Sequence, residues 1–406
     1  NKTPLKPKPP WTNDLKQPVM PDDWQTTTLG EVLLIHRGIS YRSPDLSQEG
    51  EGMPFINLKS VKRGGGYRYD GIKWYTGAYK PEQVVFPGNI LICCTDLTKE
   101  KAILGYPLQV PSDTGFDRFC ISLDLASLEI NEDIAILDFI FLLLQSAPLR
   151  SFMKANSSGT TVMHLRMKAV PKAPVSLPPL SEQRRIVDLV GAIDTCIDAL
   201  EVQIEAARTA RAGVLAELLS TPGDDWQTTT LGEVADWSSG KAIQKNFRNE
   251  FGKFPIFGAN GEIGRADISL LEEAIVIVGR VGSYGSVRLS NEPVWVSDNA
   301  LIAKPTAMTS QKYLGLLLEV VDYTRIVSGN AQPVITQGRL TKEKVVLPPL
   351  AEQRRIVDLV GAIDTCIDAL EVQVEADRTF RAGVLAELLS GEHRLPESYD
   401  KLVEAS

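Results

Sequence analysis

The chain repeats itself, and it does so at two different spacings. Asp22–Val32 reads DDWQTTTLGEV, and Asp224–Val234 carries the same 11 residues. Leu177–Ser220 begins LPPLSEQRRIVDLVGAIDTCIDALEV; Leu347–Ser390 matches it at 40 of 44 positions, differing only at Ser181/Ala351, Ile204/Val374, Ala207/Asp377 and Ala210/Phe380. The offsets are 202 residues for the short box and 170 for the long segment, so the bodies between them differ in length by 32 residues. Their sequences differ as well: LLIHRGISYRS opens one and ADWSSGKAIQK the other. A solenoid repeats with one period over three or more units, which excludes that architecture. The layout is box, variable body and long segment, twice over, with near-identical scaffolding around two unlike bodies.

The long segment has the pattern of a helix with a coiled-coil seam. Ile186, Val190, Ile193, Ile197, Leu200, Ile204, Ala207, Val214 and Leu218 follow alternating steps of three and four, with Arg211 at the one skipped place. The second copy runs Ile356, Val360, Ile363, Ile367, Leu370 and Val374, then Asp377 and Arg381, then Val384 and Leu388. Pro178–Pro179 and Pro348–Pro349 suit a first turn, and Glu182 and Glu352 complement a positive helix end. Ile186 to Leu218 spans about 50 Å of helix. A narrow seam of that length wants a second helix, and the other copy is the nearest. An internal pseudo-two-fold axis is the simplest relation between equal units and sets the two helices antiparallel. It also brings the end of the second helix, Ser390, back beside the first box at Asp22.

Between the scaffolds the expectation is a mixed α/β (α+β) fold. Ala274–Val278 and Val294–Val296 read as strands, and Asp133–Leu144 and Lys312–Val321 as helices. The boundaries that follow are an N-terminal arm (1–21), a first body (22–176), a first helix (177–220), a second body (221–346), a second helix (347–390) and a C-terminal tail (391–406).

Composition narrows the function classes. No stretch reaches the roughly 18 uninterrupted apolar residues of a membrane span. Asn1–Pro10 is rich in lysine and proline rather than apolar, so no secretory signal or membrane partner is expected and the cytoplasm is the expected compartment. The five cysteines form no CxxC pair, which disfavours zinc and a disulfide framework. Cys196 and Cys366, equivalent in the repeat, are expected in or beside the helix seam. The net charge of −8 is unevenly spread. Residues 33–176 hold 16 Lys and Arg against 14 Asp and Glu, and residues 235–346 hold 13 against 11, while the two long segments are acidic. Mildly basic bodies permit a DNA partner, because a protein meets phosphates with one face only.

Catalytic signatures are missing. Gly240-Lys241-Ala242 lacks the upstream glycine and the Ser/Thr of a nucleotide-binding loop. No GxGxxG follows a strand, and no NPPY-like or DPPY-like methyltransferase motif occurs. Pro44-Asp45 with Glu49 and Glu51 lacks the acid-x-Lys element of a nuclease. The expectation is a protein with no catalytic residues, no metal ligands and no cofactor of its own.

LPPL-x-EQRRIV opening a long helix, twice in one chain, resembles type I restriction–modification specificity subunits. So do WQTTTLGEV ahead of each body, Phe257-Gly258-Ala259-Asn260-Gly261 and Ser328-Gly329-Asn330-Ala331-Gln332. The resemblance covers about residues 22–390. It implies two target-recognition domains, each reading one half of a bipartite site in double-stranded DNA, joined by two helices that pair antiparallel. It further implies two modification (methyltransferase) subunits that bind the helices and transfer a methyl group from S-adenosylmethionine to adenine N6, the cofactor being held by those partners. Restriction (endonuclease/translocase) subunits can join that assembly. Competing readings are a scaffold with no DNA contact and a regulatory paralogue; the former predicts no sequence-dependent binding by the assembled complex.

The residues suited to read DNA lie near glycines. In the first body they are Arg37, Tyr41 and Arg42, then Lys59, Lys62, Arg63, Tyr67 and Arg68 around Gly64-Gly65-Gly66, and the polar loop with Asn156, Ser157, Thr160 and His164. In the second they are Ser239, Lys241, Gln244 and Lys245, Asn260, Arg280, Ser283 and Tyr284 in the Gly279–Gly285 loop, and Gln332. Glycine-flanked Arg and Tyr can approach phosphates and turn a guanidinium toward guanine N7 and O6. A solvated turn accounts for any one of them equally well.

Overall fold

The computed structural model describes residues 21–62, 65–98, 100–329 and 333–403. Most of the expected N-terminal arm, together with Arg63 and Gln332, lies outside the described residues. The chain divides into two compact units. Residues up to Asp198 and from Glu375 onward form the first, and Ala199–Val374 the second.

In the first unit the box is a strand, β1 (Gln25–Thr28), and a one-turn helix, α1 (Leu29–Val32), leading directly into β2 (Leu33–Arg37). The body continues through β3 (Leu46–Ser47), β4 (Met53–Ile56), β5 (Lys73–Tyr75), β6 (Val84–Val85), β7 (Ile90–Cys93) and β8 (Thr95–Asp96). It ends with β9 (Pro107–Gln109), β10 (Phe119–Ile121), β11 (Leu125–Ile130), α2 (Leu137–Gln145), α3 (Ala147–Ala155), β12 (Ser157–Ser158), β13 (Met163–Leu165) and β14 (Pro174–Leu177). The long helix α4 (Leu180–Ser220) follows. The second copy of the box is β15 (Gln227–Thr230) and α5 (Leu231–Val234), leading into β16 (Ala235–Ser239). Then come β17 (Phe254–Gly258), β18 (Gly261–Ala266), β19 (Ile275–Gly279), β20 (Val287–Ser290), β21 (Trp295–Val296), β22 (Ala300–Pro305), α6 (Gln311–Glu319), α7 (Gln337–Leu340) and β23 (Lys344–Leu347). The second long helix is α8 (Leu350–Ser390), and a short α9 (Ser398–Val403) lies in the tail.

Each body is closed at its base where the duplicated box pairs with the strand that runs into the duplicated long segment. β1 pairs antiparallel with β14, Gln25 opposite Leu177 and Thr28 opposite Pro174. β15 pairs with β23 in the same register, Gln227 opposite Leu347 and Thr230 opposite Lys344. Within each box, Thr27 Oγ1 donates to Glu31 at 2.7 Å and Thr229 Oγ1 to Glu233 at 2.5 Å. The box and the strand ending at Leu177 or Leu347 are therefore the two edges of one clasp, which explains why the box and the LPPL segment recur together around bodies of different length.

A buried glutamine fastens the body to its helix. Gln183 donates through Nε2 to the carbonyls of Ile134 and Pro178, both at 2.9 Å, and accepts the Ile136 amide at 2.8 Å. Gln353 repeats the device, donating to Met308 (2.9 Å) and Pro348 (3.0 Å) and accepting the Ser310 amide and the Thr309 hydroxyl at 3.2 Å. Both side chains are almost fully buried. Each holds the residue from which the body's helix starts, Ile136 for α2 and Ser310 for α6. The helix expected over Asp133–Leu144 accordingly begins only at Leu137, its first residues being held in a turn by Gln183. Helix α6 and the strands at 275–279 and 295–296 lie within a residue or two of expectation.

The two bodies share one strand framework. The first contains the antiparallel sheet β2-β11-β7-β9 and the second β16-β22-β19-β20. Beside it, β10 runs parallel to β4, with β5 antiparallel on its far edge; β21 and β18 flank β17 in the same way. The larger body adds β3, β6, α3 and the small sheet β12-β13-β8.

In each unit a stretch of α4 packs antiparallel against a stretch of α8. In the first, Asp194 on α4 pairs with Arg381 on α8, and Ile186 and Val190 share a core with Leu385, Leu388 and the body residues Leu29, Val32 and Phe139. In the second, Arg208 meets Glu371 at 2.6 Å and Arg211 meets Asp364, while Leu215, Ile356 and Val360 join the core of the body. The seam residues are buried or half-buried as their spacing requires. The break in the seam is filled by arginine: Arg211 also reaches Glu319 of α6 at 2.7 Å, and Arg381 reaches Gln145 of α2 at 3.2 Å. Each arginine thus ties both long helices to the body.

Three expectations are corrected. Cys196 and Cys366 are exposed rather than packed. The prolines precede the long helices rather than forming their first turn, which starts at Leu180 and Leu350. Glu182 is buried and bound by Arg394 and Trp24, so it does more than complement a helix end. Asp23 is also bound by Arg394, four residues past the end of α8, so the first box and the end of the second helix do lie together. Among the described residues, no helix is long and apolar enough to cross a membrane.

Gln353→Leu keeps the volume of the clip and removes its hydrogen bonds. Stranding a buried amide or carbonyl costs about 1–3 kcal/mol, so the melting temperature falls and the Ser310 amide exchanges faster with deuterium. An unchanged melt would show that the clip contributes nothing.

Candidate DNA-recognition surfaces

The residues expected to read DNA fall on the connections between framework strands. At the end of β2, Gly38 approaches the backbone so closely that a Cβ would overlap the Ser122 carbonyl; Gly240, at the end of β16, stands in the same relation to Ser297. The chain then bonds onward in matched fashion, Ile39 N to Ile121 O and Lys241 N to Val296 O, each at 2.8 Å. One backbone constraint therefore sets where both bodies release their first candidate loop, Arg37–Arg42 and Ser239–Lys245.

In the first body Arg37 and Arg42 are exposed, and the Arg42 amide donates to Asp45 at 2.7 Å to start a 3-10 turn. Tyr41 is half-buried, edge-on to Phe55 with ring centroids 4.9 Å apart, and Phe55 stacks on Tyr75. Burial and the nearby Asp124 raise the Tyr41 phenol above its ordinary pKa, keeping it a donor. Lys73, which the sequence did not single out, places its ammonium 5.8 Å from the Tyr41 ring centroid.

A second group follows β4. Asn57 is buried, donates to Gly71 O at 2.9 Å and accepts the Lys59 amide at 2.9 Å, so it shapes the turn that presents Lys59. Lys59, Lys62 and Arg68 are exposed. Arg68 binds Asp70 through two bonds of 2.7 Å, and that pairing raises its guanidinium pKa. Tyr67 is a correction: it is 8% exposed and packs in the core with Val61 and Ile103, so burial raises its phenol and withholds its ring from any groove.

The polar loop 156–164 is brought to the same region. Lys59 and Arg68 line a cavity of about 260 Å³ with Asp96, the last residue of β8, and with Leu97 and Thr98 just after it, and β8 pairs with β13 so that His164 lies opposite Thr95. His164 and Thr160 are exposed. Asn156 and Ser157 are half-buried and spend side-chain bonds on their own backbone, Asn156 to Phe152 O at 3.0 Å and Ser157 to Lys154 O at 2.7 Å.

In the second body the structure gathers candidates that lie far apart in sequence. Arg280 follows β19; its NH1 donates to Ser239 at 3.4 Å, and its Nε is buried without a partner. The following loop exposes Ser283 and Tyr284 and turns through Gly282 and Gly285, both at positive φ. Ser286 bonds the Ala259 carbonyl, which sets the exposed Asn260 at the β17–β18 tip next to this loop. Ile335 N donates to Arg280 O at 2.9 Å and Val281 bridges Val334, so the chain flanking Gln332 runs alongside. Lys241 is exposed and its carbonyl accepts Trp295 Nε1 at 2.7 Å; Gln244 and Lys245 form an exposed 3-10 turn with Phe247. Sequence reasoning missed Phe251, 89% exposed on the turn before β17. Its signal was a phenylalanine set among Asn249, Glu250 and Gly252 with no apolar periodicity around it.

Two bodies on one strand framework, each with its own exposed basic and aromatic loops and each set on paired helices, define a modular two-part recognition protein. The family model described as the type I restriction modification DNA specificity domain matches residues 21–207 and again 223–376. The chain belongs to that family, as the specificity component rather than the catalytic one. It is 23% identical over 425 residues to the type I restriction enzyme MjaVIII specificity subunit of Methanocaldococcus jannaschii, covering 93% of this chain and 94% of that one. Identity to the EcoBI specificity subunit of Escherichia coli is 22%, over 87% and 82% of the two chains. Among solved structures, the S subunit of a type I restriction–modification system from M. genitalium superposes with TM-score 0.51 and 18% identity, over 90% and 96% of the chains. A chain from a structure of type I system assembly and conformational transition gives TM-score 0.57 and 21% identity, over 92% and 99%. These likenesses establish the shared fold.

Arg280→Met removes the buried unpaired donor and should leave thermal stability unchanged or raised. Gly240→Ala forces the backbone off Ser297 and should lower it. A drop for Arg280→Met as large as that for Gly240→Ala, in parallel melting curves, would make Arg280 a structural residue.

Proposed function

We propose that each body reads one half of an asymmetric, bipartite sequence in double-stranded DNA, and that the helices hold two adenine-N6 methyltransferase subunits in position over the target. Restriction subunits can join the same complex, and S-adenosylmethionine belongs to the methyltransferase partners. The modules are residues 22–176 and 221–346, with 177–220 and 347–390 as their common scaffold, acting in the cytoplasm where such DNA is found. One observation carries this reading: the same closed base and strand framework supports two different sets of exposed loops. A framework kept constant beneath varied loops is the arrangement that changes what is read without changing how it is held. Unlike bodies favour an asymmetric target, whereas identical subunits read palindromes.

Within the first body the proposed contacts are Arg37, Tyr41, Arg42, Lys59, Lys62, Arg68, Thr160 and His164. Arg63, Asn156 and Ser157 remain secondary positions, and Tyr67 supports them from the core. Within the second they are Ser239, Lys241, Gln244, Lys245, Asn260, Arg280, Ser283 and Tyr284, with Gln332 beside them. Arg280 is the favoured base reader there, since a guanidinium carried at the start of an exposed loop can bind guanine bidentately through its terminal nitrogens, about 1–3 kcal/mol of discrimination.

Co-expression with a modification subunit and methylome sequencing tests the reading directly. Replacing residues 235–346 by another body should change one half of the methylated motif and leave the other intact; simultaneous change of both halves refutes modular reading. The isolated chain should neither label plasmid from radioactive S-adenosylmethionine nor cut it.

Inserting one heptad at equivalent places in both long helices separates their ends by about 10 Å, against about 3.4 Å per base pair. The unread spacer should then lengthen by about three base pairs, or binding should be lost. An unchanged spacer with full binding would show that the helices do not set the spacing.

A further inference from the structure

The duplicated box and helix start differ in sequence only at Ser181/Ala351, yet they differ in what covers them. In the first unit they are sealed by the tail. Arg394 donates to both oxygens of Asp23, at 3.0 and 2.8 Å, and to Glu182, whose other neighbour is Trp24 Nε1 at 3.2 Å. Six residues on from Arg394, Asp400 accepts from Arg185 Nε at 2.8 Å, and the Leu395 carbonyl accepts from Arg185 NH1 at 3.1 Å. Under this cover the Glu182 side chain is 3% exposed and that of Arg185 9%.

In the second unit the counterparts are Asp225, Trp226, Glu352 and Arg355, and they line an open cavity of about 620 Å³ together with Thr221 and Gly223. The connector there is Thr-Pro-Gly, with no charged side chain to answer these groups. Glu352 and Arg355 turn to each other instead, at 2.8 Å, with side chains 30% and 63% exposed. An exposed pair one turn apart contributes little and yields readily to better partners.

We propose that this cavity is a peptide-binding site for a segment of a partner protein that carries an arginine and, six residues on, an acidic residue. Its arginine would be held by Asp225 and Glu352 beside Trp226, and its carboxylate by Arg355, as Arg394 and Asp400 are held in the first unit. The two copies offer the same charges in the same sequence context, and only one is answered by this chain. The inference is independent of which DNA sequence the bodies read.

A fluorescein-labelled peptide with the sequence of residues 391–403 is the probe, titrated by anisotropy with the full-length protein. It should bind at one site per chain. Glu352→Gln or Asp225→Asn in the protein, or alanine in place of the peptide's arginine, should weaken binding by about tenfold or more, the loss of a charge-assisted hydrogen bond. Both protein variants lie at the surface, and circular dichroism verifies their folding. Glu182→Gln should not weaken it. The proposal is overturned if the full-length protein does not bind the peptide, or if binding ignores Glu352→Gln and Asp225→Asn. It is equally overturned if Glu182→Gln alone abolishes binding, since the peptide would then be competing for the first site.

Discussion

Two strand pairings in one register, and a buried glutamine beside each, hold everything else in place. β1 on β14 and β15 on β23 bring both ends of a body to the same point, and Gln183 or Gln353 fixes that point to a long helix. Once entry and exit coincide, the chain between them can lengthen without altering the base. The energetic logic is local: a fully satisfied buried amide is worth little net, but a half-satisfied one is expensive, so the clip tolerates no drift. That is why residues as plain as EQ and TTT are copied while whole bodies are not.

Inside the bodies a second constraint operates on backbone alone. Gly38 and Gly240 are required because strand ends meet carbonyls too closely for any side chain. The parallel pairs β4–β10 and β17–β21 lie just beyond them. Such requirements are met by few residues and leave the loops chemically unconstrained. The first body uses that freedom for a Tyr41–Phe55–Tyr75 aromatic group and a basic turn, the second for an arginine loop braced by Ser239 and Ala259.

The scaffold was legible in the sequence because it occurs twice, and the helix seam because period 3.5 over nine positions is a strong pattern. The common framework of the bodies was not. Its strands are two to six residues long, and their alignment depends on which carbonyl faces Gly38 or Gly240, a long-range relation without local periodicity. Glycine-rich stretches pointed to loops correctly, yet proximity to glycine does not decide direction: Tyr67 and Arg68 are neighbours, one in the core and one exposed. The grouping of Ser239, Asn260 and Arg280 needed tertiary contacts. Cys196 and Cys366 were expected to pack because they are small and adjoin seam positions, yet they are exposed, whereas Gln183 and Gln353 were overlooked because polarity argues for surface.

The arginines in the seam show how the pairing of the helices is specified. An uninterrupted apolar seam on two nearly identical helices permits several registers, and slipping by one heptad would still bury isoleucine and valine. Arg211 and Arg381 remove that freedom, since each is half-buried and must find its aspartate on the opposite helix, Asp364 or Asp194. An isolated arginine in the seam would be costly, so registers that separate these partners are selected against even where the pair adds little net stability. Each arginine reaches further, to Glu319 of α6 or Gln145 of α2. The same side chain that sets the helix register therefore also sets where the body stands along the helix.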